Sequence, residues 1–125
     1  MKLATLIAAT ALALVATAPA YAKDDHTAKH GGIFVETKAL DFEIVAKPEV
    51  IQVFVADHGK QVKLEGAKAK VTLLNGAEKS EVELVPAADR FEAKGSFKIA
   101  KGTKGIASVM LPGKPAAVAR FEVGR

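Results

Sequence analysis

The stretch AKAKVTLLNGAEKSEVELV, residues 67–85, decides the fold. Apolar and polar residues alternate along it, which is the pattern of a strand with one face on a core. Its centre is Asn75-Gly76, a pair that favours the tight turn of a β-hairpin. In the second arm Val82 and Leu84 are expected to face inward, while the glutamates beside them face solvent. The stretch therefore predicts an antiparallel hairpin.

The same alternation extends in both directions from this hairpin. Turn residues break it about every eight to twelve residues, and no helical run follows residue 22. The segments predicted to form strands are 33–37, 40–46, 51–55, 67–74, 78–85, 91–99, 106–111 and 117–123. A short segment around Val62 and Leu64 leads to Gly66.

Seven or eight short strands at this spacing predict an all-β fold, an immunoglobulin-like antiparallel β-sandwich. The Cys…Trp…Cys pattern of antibody domains is absent, so the prediction concerns the architecture alone. Both faces of strand 51–55 are largely apolar, which places it centrally in its sheet. The predicted core consists of Phe42, Ile44, Val53, Val55, Val71, Leu73, Val82, Leu84, Phe91, Val109 and Phe121.

The amino-terminal residues have the pattern of a secretory signal peptide. Lys2 precedes an uncharged run over 3–18, and Ala20 and Ala22 are small residues at the positions that a signal peptidase reads. A membrane anchor is the alternative, but the run is short for the ~20 residues of a span. We therefore expect no membrane span after cleavage, and a periplasmic location. The predicted organisation is a signal peptide over 1–22, a mobile leader over 23–30 and the sandwich domain over 31–125.

Composition argues against several classes of function. The 18 basic and 14 acidic residues are interspersed, and the chain has 1 Tyr and no Trp. A nucleic-acid binder would show a basic stripe with stacking aromatic residues, so no nucleic-acid partner is expected. There is no Cys, no G-x-S-x-G turn and no glycine-rich phosphate loop. The chain is therefore not expected to be an enzyme, and its fold must depend on its core without disulfides.

The leader has the best candidates for metal binding. In KDDHTAKHGG, residues 23–32, His26 and His30 are four residues apart, and Asp24 and Asp25 add carboxylate oxygens. Imidazole with carboxylate suits Zn(II), Cu(II) or Ni(II). The alternative interpretation is a polar, solvated tail that binds nothing.

His58 is the less expected ligand. It lies in Asp57-His58-Gly59-Lys60, which reads as a hairpin turn, where polar residues are ordinary. If the first three strands form a meander, His30 precedes one end of the first strand and His58 follows the opposite end of the third. That arrangement separates the two histidines by roughly 15–20 Å.

Three segments together resemble a known family. They are Lys29-His30-Gly31-Gly32-Ile33, the acidic strand over 41–45, and the turn DHGKQV over 57–62. This arrangement resembles the small β-sandwich domain of periplasmic adaptor subunits of heavy-metal efflux pumps, of the resistance-nodulation-division type. The resemblance covers residues 29–62, and Gln61 stands where that pattern usually has Pro.

The resemblance implies an envelope protein associated with metal export or tolerance, with His30 as the position carried over. The helical hairpin and barrel domains of such adaptors have no counterpart in these 125 residues. We therefore expect a non-enzymatic accessory protein that handles metal ions, Cu(II) or Zn(II), or contacts envelope efflux components. The alternative is a metal-independent envelope module that docks a partner through a sheet edge or through the 57–60 turn.

Overall fold

Two packed antiparallel sheets make up residues 28–124, the part of the chain that the computed structural model describes. The described residues contain no helix, and hence none long and apolar enough to cross a membrane. The strands are β1 (Ile33–Glu36), β2 (Asp41–Lys47), β3 (Val50–Asp57), β4 (Lys60–Gln61), β5 (Lys68–Asn75), β6 (Glu78–Ala87), β7 (Arg90–Lys94), β8 (Lys104–Met110) and β9 (Ala117–Glu122).

The strand order is β1-β2-β3-β7-β6-β5-β8-β9, with β4 paired to β3. β6 belongs to both sheets, since its residues up to Leu84 pair with β5 and Val85–Ala87 pair with β7. β1 and β9 contact each other but do not pair, so the structure is nearly closed. The predicted all-β antiparallel sandwich is confirmed. It has one strand more than expected because Lys60–Gln61 forms a two-residue strand.

The core lies between the inner faces of the two sheets, where the alternation predicted it. Ile44, Val53 and Phe91 form one cross-strand row that is completely buried. Of the predicted core residues, all are buried except Val82, which is half-buried against the cluster. Strand β3 lies between β2 and β7, so its central position is also confirmed.

The hairpin of β5 and β6 forms where Asn75-Gly76 predicted it, but its turn is shifted by one residue. Asn75 is the last residue of β5 and pairs with Glu78, so the loop is Gly76–Ala77. The Asn75 side chain instead donates a hydrogen bond to the Lys98 carbonyl at 3.1 Å. It also accepts one from the Thr103 hydroxyl at 2.7 Å. Asn75 thus fixes the long connection between β7 and β8.

That connection begins earlier than the sequence predicted. Strand β7 ends at Lys94 rather than near Ile99. The backbone amides of Gly95 and Phe97 donate to carbonyl oxygens of the turn between β2 and β3, at 3.2 and 2.8 Å. Phe97 and Ile99 still pack against the core. The alternation there therefore marks residues that cover the end of the sandwich rather than a continued strand.

Candidate metal centre

Two buried carboxylates lie on the outer face of the sheet formed by β1, β2 and β3. Asp41 and Glu43 are only 8% and 6% exposed, although they face away from the core. On this outer face Asp41 pairs with Ala56 of β3, and Glu43 pairs with Phe54. A carboxylate is seldom buried unless it is paired and hydrogen-bonded. Other parts of the chain must therefore cover this face.

The carboxylate of Glu43 accepts hydrogen bonds from the chain that precedes β1. The backbone amides of Lys29, His30 and Gly32 donate to it at 2.9, 2.7 and 2.9 Å. Nδ1 of the His30 ring lies 2.9 Å from the same carboxylate. Residues 28–32, which we call the clasp segment, are thus held across β2 by one buried side chain.

The two glycines of the clasp segment are needed for different reasons. Gly31 has a φ of +76°, a conformation in which residues with a Cβ are strained. Gly32 lies so close to β2 that an added Cβ would be 2.5 Å from the carbonyl oxygen of Ile44. The His-Gly-Gly sequence therefore has a direct structural cause, since one glycine turns the chain and the other lets it approach the sheet.

Glu43 is held in its ionised form. Burial acts to raise the pKa of Glu43, but the hydrogen bonds from the His30 ring and from the backbone amides outweigh it. Together they hold the pKa of this carboxyl below its ordinary value. An ionised carboxylate can only accept hydrogen bonds, so Nδ1 of His30 carries the proton.

The ring of His30 is fixed from a second direction by stacking. It lies on the ring of Phe54 with centroids 3.7 Å apart and an angle of 4° between the planes. The His30 side chain remains 43% exposed. With Nδ1 bonded to Glu43, the other ring nitrogen of the neutral imidazole, Nε2, has a lone pair available for a metal ion.

His58 lies at the same outer face but beside the other buried carboxylate. Its Nε2 is 3.1 Å from the Lys38 carbonyl oxygen, and its Nδ1 is 3.9 Å from Oδ1 of Asp41. Glu36, the last residue of β1, pairs with Asp41. One ligand atom each of Glu36, Asp41 and His58 lies within 4.8 Å of the other two. The structure therefore gives His30 and His58 separate acidic partners.

The two histidines lie beside carboxylates that are neighbours on one face of β2. These carboxylates, of Asp41 and Glu43, belong to residues two apart on the strand, which corresponds to roughly 7 Å. The meander of β1, β2 and β3 is present. However, the clasp segment turns at Gly31 and crosses the sheet instead of extending β1. Asp24, Asp25 and His26 lie outside the described residues, so their placement relative to His30 stays a prediction.

The roles of Glu36, Asp41 and Glu43 were not predicted from the sequence. All three occupy strand positions that face away from the core, where an acidic residue ordinarily contacts water, as Glu81 and Glu83 do. One signal was available, because Phe54 places an aromatic side chain on the same outer face. An apolar outer residue on a central strand indicates that this face is covered.

Comparison with known proteins adds little to this geometry. No protein-family model matches the chain, and no curated protein matches its sequence. Among solved structures the chain is similar to BhCBM56, in the crystal structure of a Br derivative, with a TM-score of 0.46 and 13% identity. The match covers 76% of this chain and 100% of that chain. A likeness at this level carries no argument about function.

Proposed function

We propose that the chain is a non-enzymatic periplasmic accessory protein that binds Zn(II) or Cu(II) and is linked to heavy-metal efflux. The observation that carries this proposal is the fixed imidazole of His30, which has Nδ1 bonded to the buried Glu43 carboxylate. Histidines that bind metals usually donate their second ring N–H to a carboxylate, a carbonyl or water. Such a partner sets the tautomer and makes the coordinating nitrogen more basic.

His30 would be one ligand of a site completed by His26 and by Asp24 or Asp25. Imidazole and carboxylate together suit Zn(II) and Cu(II). Ordering the backbone for a ligand opposes binding by about 1–2 kcal/mol per residue. Hydrogen bonds to Glu43 already hold Lys29 and His30 in place. The entropy cost of ordering the backbone is therefore smaller than for a site built wholly from a solvated tail.

The location and the link to efflux rest on the sequence. The signal-peptide pattern over 1–22 supports export, and the resemblance of residues 29–62 to efflux adaptor domains supports a role in metal tolerance. Envelope efflux components are the proposed protein partners. Export is tested by the mass of the chain purified from the periplasm of a bacterial host, since cleavage after Ala22 leaves Lys23 as the first residue.

Metal binding is tested by titrating that purified chain with Zn(II) and Cu(II). The ring signals of His26 and His30 are followed by NMR, which is practical because the sequence has only 3 histidines. We expect both signals to respond, and we expect His30→Gln or His26→Gln to abolish this binding. His58→Asn is the matched control and should leave the response of His26 and His30 intact. Unchanged ring signals at saturating metal would overturn the proposed function.

A second candidate function is metal-independent docking of an envelope partner at a sheet edge. Two large apolar side chains favour it, since Met110 and Val118 are 52% and 47% exposed. They share the outer face of β8 and β9, and β9 is an edge strand. Metal-dependent expression measured together with a pull-down from the envelope separates the candidates. Induction by metal without binding in vitro would favour docking.

A further inference from the structure

A second cluster of possible metal ligands lies on the same outer face, around Asp41 rather than Glu43. One ligand atom from each of Glu36, Asp41 and His58 lies within 4.8 Å of the other two. Strand pairing brings the two acids together, because Glu36 and Asp41 are paired residues at the connection of β1 to β2. His58 reaches them because β3 ends beside the start of β2, where Asp41 pairs with Ala56.

The turn after β3 directs the imidazole back over the sheet. His58 and Gly59 have φ values of +52° and +93°, and the flanking residues Asp57 and Lys60 are paired. Positive φ at both central residues defines a type I′ hairpin turn, in which Asn-Gly is the preferred pair. Asparagine, aspartate and histidine are the residues with a Cβ that most often adopt positive φ, so this turn accepts His58.

The hydrogen bonding of His58 leaves its other nitrogen facing an acid. A carbonyl oxygen can only accept, so the 3.1 Å contact with Lys38 requires the proton on Nε2. In the neutral imidazole, Nδ1 then presents a lone pair 3.9 Å from Oδ1 of Asp41. That distance is too long for a hydrogen bond. It is about 0.5 Å longer than the ~3.4 Å that separates neighbouring ligand atoms of a tetrahedral zinc ion with bonds of ~2.1 Å.

We propose that Glu36, Asp41 and His58 form a site for a divalent transition-metal ion of the Zn(II) class, independent of the leader. Asp41 is buried, whereas Glu36 and His58 are exposed, so the ion has an open path from solvent. Two carboxylates neutralise the charge of a divalent ion. Three protein ligands leave a fourth tetrahedral position for water or for a group of a partner.

The donor set defines the class of ion. The imidazole nitrogen argues against Ca(II), which takes six to eight oxygen ligands, and the absence of sulfur argues against Cu(I). The ligand atoms lie within 4.8 Å of one another. They must therefore approach one another by at most about 1.4 Å to surround a zinc ion tetrahedrally, because bonds of ~2.1 Å place neighbouring ligands ~3.4 Å apart. Rotation of the exposed Glu36 and His58 side chains can provide this movement.

The test is a calorimetric Zn(II) titration of the chain purified from the periplasm, with His58→Asn and Asp41→Asn variants. His58→Asn removes the imidazole but keeps a residue that the turn accepts. We expect each variant to weaken this site at least about 10-fold, since loss of even an indirect metal contact typically has that effect. The matched control is the double variant His26→Gln with His30→Gln, in which zinc should still shift the His58 ring signals.

The outcomes separate this site from the proposed leader site. Two ions bound by the parent, with one lost in His58→Asn and the other in the double variant, support both sites. One ion that survives the double variant and disappears in His58→Asn supports this site alone. If zinc leaves the His58 ring signals unchanged in the double variant, the proposal is wrong, and Glu36, Asp41 and His58 are neighbours that bind no zinc.

Discussion

Glu43 is a single residue that links the sequence of the clasp segment to the sheet beneath it. Its carboxylate accepts from three backbone amides and the His30 ring, and its pKa is lowered as a result. A group whose folded-state pKa is lowered contributes stability that is complete above its unfolded-state pKa. That contribution is lost as the pH falls through the folded-state value.

We predict that Glu43→Gln lowers the free energy of unfolding by about 1–3 kcal/mol at pH 7, because buried amide donors lose an ionised acceptor. The difference from the parent should begin to shrink as the pH falls below the ordinary glutamate pKa of about 4.3, and it should vanish as the pH falls through the lowered pKa of Glu43 in the folded parent. Urea unfolding at several pH values measures both effects. Glu83→Gln, at an exposed position of β6, is the control. An equal loss in the control, or a difference that persists unchanged in acid, would contradict this account of Glu43.

The two glycines of the clasp segment should respond differently to alanine. Gly32→Ala places a Cβ against the β2 backbone, so we expect it to displace the segment and to separate the His30 and Phe54 rings. Gly31→Ala has open space and should cost about 1–2 kcal/mol through its positive φ while the stack remains. The ring-current shift of the His30 signals in NMR measures stacking directly. Retention of that shift in Gly32→Ala would show that the close approach to Ile44 is not required.

At the scale of the strands, the sequence predicted the features that depend on residues close together in the chain. Alternation located the strands, and Asn75-Gly76 located the central hairpin, because both signals are local. Alternation could not show that Glu43 is buried, since the segment that covers it precedes β1. Nor could it bring Glu36 to His58, because strand register and a turn conformation decide that contact. The sequence therefore predicted His30 and His58 as candidate ligands, but not the roles of Glu36, Asp41 and Glu43 beside them.

Substitutions of His58 test which residues the positive-φ turn between β3 and β4 tolerates. We predict that His58→Asn changes the stability of the metal-free chain by no more than about 0.5 kcal/mol, as is usual for exposed positions. His58→Val should destabilise it by about 1–2 kcal/mol, because a β-branched residue is poorly tolerated at positive φ. Thermal unfolding without metal measures both variants. A stable His58→Val variant would mean that the turn is not held at positive φ in solution.

At the scale of the whole molecule, the two proposed metal sites differ in what they require of the fold. The leader ligands Asp24, Asp25, His26 and His30 are close in sequence, so an unfolded chain can still bring them together around an ion. The ligands Glu36, Asp41 and His58 meet only when β1, β2 and β3 are paired. An ion stabilises the folded state only to the extent that it binds that state better than the unfolded chain.

We therefore predict that zinc raises the unfolding temperature mainly through the Glu36, Asp41 and His58 site. A site that exists only in the folded chain contributes about 2.7 kcal/mol when free zinc is 100 times its dissociation constant. For a domain of about 100 residues this corresponds to a rise of about 10–20 °C. His58→Asn should remove most of the rise, whereas the double variant His26→Gln with His30→Gln should retain most of it. If the double variant loses the rise in unfolding temperature and His58→Asn keeps it, zinc instead stabilises the fold through the leader site and the hydrogen bonds between the clasp segment and Glu43.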